Sequence, residues 1–228
     1  MRQWAALVVA TTSVTSCGGS ASPRHLSGTA AAYVLTIDQV RDAGFITIEP
    51  VAATGAAQLV VDDELRAHQL EGAGLRDAAR VRYFRTVTDL RSTNGPVDIT
   101  ATVAFFEDEP TASHALSLTV ASIEAKTGEQ AVSTGDLGDE AHADQITAAD
   151  DSGTSLVQFT VQWRIANVLN QLTIRGRAGG TRIADALRLA HRQLDNEFAR
   201  QTPLSTPTPL ATATPSRDPH PAGTPTPR

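Results

Sequence analysis

The cleanest hydrophobic pattern in the chain is a strict alternation. Val157, Phe159, Val161, Trp163 and Ile165 interleave with Gln158, Thr160, Gln162 and Arg164. A period of two puts one set on each face of a strand, so this segment predicts a strand with one buried and one polar face. Val168, Leu172 and Ile174 continue the apolar set beyond Ala166-Asn167, which predicts a tight turn in which Asn accepts left-handed backbone geometry. A unit of the same design lies upstream. Residues 80–90 and 97–106 read as strands, with Val97, Ile99, Ala101, Val103 and Phe105 on one face, and Asn94-Gly95 between them is a hairpin signal. Each strand pair is followed by helical periodicity: Ala112, Leu116, Val120 and Ile123 within 111–126, then Ile183, Leu187, Ala190, Leu194 and Phe198 within 181–200. Two hairpin-helix (ββα) units predict an α+β fold, an antiparallel sheet with helices packed on it.

Shorter elements are expected ahead of these units. Thr36 and Gln39 have capping-box spacing and Gly44 is a helix stop, which predicts a helix over 37–43, an extended segment over 45–51 and a second helix over 63–71. Asp150-Asp151-Ser152-Gly153 is a turn cluster ahead of the alternating strand.

The two ends have compositions that build no core. Residues 201–228 hold eight of the twelve prolines, among threonines and serines, and read as a disordered Pro/Thr-rich tail. Residues 17–32, rich in Gly, Ser, Ala and Thr, read as a flexible tether. A single domain over 33–200 remains, and a domain of that size buries roughly 70% of its unfolded surface without needing disulfides or a metal.

At the start, Met1-Arg2 precedes an apolar stretch over 4–14 that is about half the length of a membrane span. It ends in Val14-Thr15-Ser16-Cys17-Gly18-Gly19, which resembles the bacterial lipobox, with valine in the place of the usual leucine. That resemblance implies a signal peptide over 1–16 and an acylated N-terminus at Cys17. The chain would then be lipid-anchored on the extracytoplasmic side of the cell membrane.

Charge narrows the partners. The net charge is −6, and the basic residues are scattered and almost all arginine, with Lys126 the single lysine, so nucleic acid is not expected. Cys17 is the only cysteine, which excludes an internal disulfide framework.

Catalytic motifs are not legible. There is no G-x-S-x-G, phosphate loop, H-E-x-x-H or cysteine metal site, and the six histidines are dispersed. A hydrolase assembled from distant residues such as His114 or Asp139 is the least favoured reading. The run Asp136, Asp139, Glu140, His142 and Asp144 could attract calcium, but it lacks regular ligand spacing and reads as a solvated acidic loop with no metal. Arg164, on the polar face of the alternating strand, is expected to pair with Asp139 or Glu140 and pin that loop across the sheet.

Gly138-Asp139-Glu140-Ala141, then Val161-Gln162-Trp163-Arg164 and Asn167-Val168-Leu169 before a final amphipathic helix, form a pattern similar to exported bacterial lipoproteins with Mog1/PsbP-like domains. It also resembles, without that family's domain cysteines, the extracellular sensor domain of mycobacterial serine/threonine kinases. The resemblance implies a helix-flanked antiparallel sheet with a cleft, used for binding rather than catalysis. The expected function is therefore a non-enzymatic envelope lipoprotein, without cofactor, that binds a small apolar ligand or an envelope component. The alternative is a structural or signalling adaptor presenting its Pro/Thr tail to the cell wall.

Overall fold

A computed structural model describes residues 25–40, 44–60, 63–125, 128–150 and 152–200. The expected signal segment, Cys17 and the Pro/Thr-rich tail lie outside the described residues. Short helices α1 (Ala30–Tyr33) and α2 (Ile37–Val40) lead into β1 (Ile46–Ala53), a 3-10 turn and α3 (Glu64–Gly72). The first unit is β2 (Leu75–Phe84), β3 (Asp98–Phe106) and α4 (Glu109–Glu124). The second is β4 (Gln130–Ala131), β5 (Glu140–Ala149), β6 (Ser155–Ile165), β7 (Val168–Arg177) and α5 (Ile183–Arg200). The seven strands form one sheet in the order β1-β2-β3-β7-β6-β5-β4, antiparallel throughout.

The alternation seen in the sequence sets the two faces. One face carries Val81, Tyr83, Ile99, Val103, Leu172, Ile174, Phe159, Val161 and Trp163, buried beneath α1, α2 and α5 in the larger core. The other carries Ala78, Ala104, Phe106 and Leu169, which pack with α3 and α4 in a smaller core at one end of the strands. At the other end that second face is polar: Arg80, Arg82, Asp98, Thr100, Gln158, Thr173 and Arg175 line a depression of about 260 Å³. α4 starts at Asp108, whose carboxylate accepts the Thr111 backbone N–H at 2.9 Å, and that bond holds the carboxyl below its ordinary range.

Several boundaries differ from expectation, each for a tertiary reason. The segment expected as tether is partly in the core. Leu26 and Ala30 are buried, the Leu26 N–H donates to Asn167 Oδ1 at 2.7 Å, and the Ala30 N–H donates to Asp77 Oδ2 at 2.7 Å. The Asn94-Gly95 hairpin is instead a longer connection containing a 3-10 turn at Leu90–Ser92, and the Gly95 N–H donates to the Gly180 carbonyl. In the β6–β7 turn the left-handed residue is Ala166, at φ 51°, and not Asn167. The Asn167 side chain instead donates to the carbonyls of Leu26 and Phe106, so its amide is spent on joining three segments. The acidic run is not a loop: from Glu140 onward it is β5, with Ala143 buried on the core side.

The buried stripe of α5 matches the expected one at Ala190 and Leu194, with Ile183 and Leu187 partly buried against the same core, and departs from it at Phe198. Ala186, Leu189, Ala190, Gln193, Leu194 and Glu197 face the sheet, whereas Phe198 is exposed. Gln193 Nε2 donates to Asn170 Oδ1 at 2.9 Å, and Asn170 Nδ2 donates to Glu197 Oε2 at 3.4 Å. Desolvation pushes the Glu197 carboxyl up to about 8, against the two side-chain hydrogen bonds that favour its charged form.

Candidate functional site

Asp139, Glu140 and Arg164 are brought together at the edge of α4. Glu140 of β5 lies opposite Arg164 of β6 in the ladder, so their side chains leave the sheet on the same face. The Arg164 side chain is only 5% exposed, and all three of its nitrogens are engaged. Nε and Nη2 donate to Glu140 Oε1 at 3.1 and 2.8 Å. Nη1 lies 3.4 Å from Asp139 Oδ2, 3.1 Å from Glu109 Oε1, and 2.9 Å from the Ala166 carbonyl oxygen, to which it donates.

The carboxylates are tied in turn. Asp139 Oδ2 accepts the Ala166 N–H at 2.8 Å, and Glu140 accepts from Ser113 Oγ on α4 at 2.9 Å. Gly138 permits the approach of this segment: it adopts φ +66°, and the next N–H, of Asp139, donates to the Arg164 carbonyl at 2.8 Å. An arginine satisfied in this way fixes α4, the 138–140 segment and the β6–β7 turn relative to one another. With 5% exposure and each nitrogen engaged, it offers little surface to a ligand, so the arrangement is a clamp in its chemistry.

The other histidines and acids named in the sequence do not join it. His68, His114, His191 and Asp136 are exposed. His142 and Asp144 point from the same face of β5, further along the strand, and meet Glu129, a residue that carries no sequence signal of its own.

Two concave surfaces lie elsewhere. One is a groove of about 350 Å³ between α2, α5 and the start of β3, lined by Val40, Phe45, Pro96, Ile99 and Leu189, with Arg188 and Arg192 at its rim. α2 and α5 are stitched together beside it, because Gln39 Nε2 donates to the Arg192 carbonyl at 2.7 Å and Arg192 Nη1 donates back to the Gln39 carbonyl. Arg188 Nη2 lies 3.0 Å from Asp185 Oδ1 and is more than half exposed. The Arg85 guanidinium stands 5.7 Å over the Phe45 ring, so the floor of the groove is held against a cation. The second is the polar depression on the open end of the sheet. There Arg82 pairs with Asp98 and Glu49, and Arg175 is exposed.

No family model matches the chain, and no curated protein matches it. Among solved structures, the chain is similar to the extracellular domain of PknH from Mycobacterium tuberculosis. The TM-score is 0.50 and the identity 10%, over 74% of this chain and 94% of that one. At that identity the likeness is one of fold, a helix-flanked antiparallel sheet. Among the described residues, no helix is long and apolar enough to cross a membrane.

Proposed function

We propose that the chain is an extracytoplasmic, non-enzymatic binding domain, held at the cell membrane by lipid on Cys17, and that the groove between α2 and α5 takes a small ligand with an apolar body and an anionic end. The observation that carries this reading is the groove itself: an apolar floor of Val40, Phe45, Ile99 and Leu189 with two arginines at the rim. Its volume of about 350 Å³ falls in the range of small-molecule sites, where an apolar lining supplies affinity and a few polar groups fix orientation. The fold likeness to an extracellular domain supports the location, and the lipobox-like run at Cys17 supports the anchor.

Dodecanoate, titrated by calorimetry into the purified chain, is expected to bind. Arg188→Ala is expected to weaken that binding about tenfold, the equivalent of one charge-assisted contact of about 1.4 kcal/mol, and to leave dodecanol binding unchanged. Absence of heat with either compound would remove the groove from the proposal. The anchor is tested separately: Cys17→Ala is expected to shift the protein from the membrane fraction to the soluble fraction and to abolish the acyl mass on the mature N-terminus.

A second reading is favoured by the open end of the sheet. Arg80, Arg82 and Arg175 line that depression with Thr100, Thr173, Gln158 and the Arg82-bound Asp98, a hydroxyl- and guanidinium-rich surface suited to an anionic envelope glycan. Binding of a soluble acidic polysaccharide that is lost in Arg175→Ala, with dodecanoate binding intact, would favour it.

A further inference from the structure

The geometry points to a site for a zinc-class divalent cation at Glu129, His142 and Asp144, on the β4–β5 edge and separate from both the groove and the Arg164 clamp. His142 and Asp144 are two residues apart on β5 and share a face of the sheet, opposite Gln162 and Thr160 of β6. Glu129 immediately precedes β4, whose Ala131 lies opposite Asp144, so the strand pairing delivers its carboxylate to the same spot. One donor atom from each of the three side chains lies within 4.8 Å of the other two.

Clustered acids alone would not make a site, because exposed carboxylates gather commonly. Burial and missing partners make the difference here. The Asp144 side chain is 1% exposed. Its Oδ1 meets His142 Nε2 at 2.8 Å, but its Oδ2 is buried with no hydrogen-bond partner. Glu129 Oε1 is likewise buried and without a partner. Two acceptor oxygens held away from water without a donor call for a cation or a shared proton between the carboxyls.

The donor set selects the cation class. One imidazole nitrogen with two carboxylate oxygens suits zinc and its neighbours in the transition series, whereas calcium demands six to eight oxygens. Three protein ligands leave a fourth position for water, and the His142 side chain, 24% exposed, opens the site toward solvent. The bond that now joins His142 to Asp144 would give way to shared coordination of the ion.

The test is a calorimetric titration of zinc chloride into the full chain carrying Cys17→Ser, which removes the one competing thiol, after EDTA treatment and exchange into metal-free buffer. One zinc per chain is expected, with a rise in the thermal midpoint on binding. His142→Ala and Asp144→Asn are each expected to weaken binding at least tenfold and to suppress that rise, while His68→Ala, at an exposed side chain of α3, leaves both unchanged. Because His142 is at the surface, His142→Ala tests the site even if Asp144→Asn fails to fold. The proposal is overturned if zinc does not bind, or if it binds equally well to His142→Ala. It is also overturned if Asp144→Asn stabilises the metal-free chain while wild type takes up no zinc, the behaviour of a carboxyl pair that merely shares a proton.

Discussion

Raising the pH from 5 to 8 is expected to destabilise the domain substantially, and Glu197→Gln is expected to remove most of that loss. Glu197 is fully buried on α5, and burial lifts its carboxyl from 4.5 to about 8. Between those values the folded chain keeps a proton that the unfolded chain releases. Stability is therefore greatest below the unfolded value, declines as pH climbs through the window, and levels off above the folded value. A shift of this size corresponds to a stability loss on the order of 3–5 kcal/mol across the window, at about 1.4 kcal/mol per unit. Urea midpoints at pH 5, 6, 7 and 8 measure it. The Gln variant, neutral at every pH, should be flatter and should exceed wild type at pH 8. The slope it retains comes in part from Glu129, whose carboxyl is also raised. A Gln variant with the full wild-type slope would show that Glu197 is ionised in the fold.

The second large effect is expected from Gly138→Ala. Gly138 sits at φ +66°, and an added Cβ would lie 2.5 Å from the Arg164 carbonyl oxygen and 3.2 Å from Trp163 Cδ1. Neither neighbour can yield cheaply: that carbonyl accepts the Asp139 N–H, and Trp163 is fully buried. The left-handed backbone costs alanine about 1 kcal/mol, and the displaced strand is expected to bring the total to about 3 kcal/mol or more. Gly135 is the internal control, with a similar φ of +62° and nothing within 4 Å of the added atom. Gly135→Ala should cost only the first part, about 1 kcal/mol. Equal denaturation midpoints for the two variants would mean that the Gly138 segment is free to move away from β6.

The elements legible in the sequence were those whose partners repeat at a fixed period. β6 shows unbroken alternation because it lies between two neighbours with one face in the larger core, and β3 keeps the period until Ala104 and Phe106 enter the smaller one. α4 was legible from its apolar spacing, and Asp108 caps it within three residues. β5 was not, because its core side is filled by small Ala141 and Ala143 while its other side carries Glu140, His142 and Asp144. An alternation of alanine with charge resembles a solvated loop when hydrophobicity is the guide.

The same limit hid the polar part of the buried face of α5. Its buried Gln193 and Glu197 answer to Asn170, a strand residue more than twenty positions earlier, and no local pattern records that tie. Of the candidate residues, the proximity of Arg164 to Asp139 and Glu140 could be inferred because turn and strand signals placed them on neighbouring segments. Glu129 could not, since its place beside Asp144 depends on a two-residue strand that has no periodicity to read.

The early burial of Leu26 also sets a leash. If Cys17 carries lipid as proposed, eight residues separate it from Leu26, a span of roughly 30 Å at full extension. Leu26 is fastened to Asn167 and so to the end of the sheet at Phe106 and Val168. Under the proposed anchor, that end would stay within that distance of the headgroups. Ile99 and the groove lie seven residues further along β3, roughly 20 Å up the strand, so the groove would open away from the bilayer, toward whatever diffuses between membrane and wall.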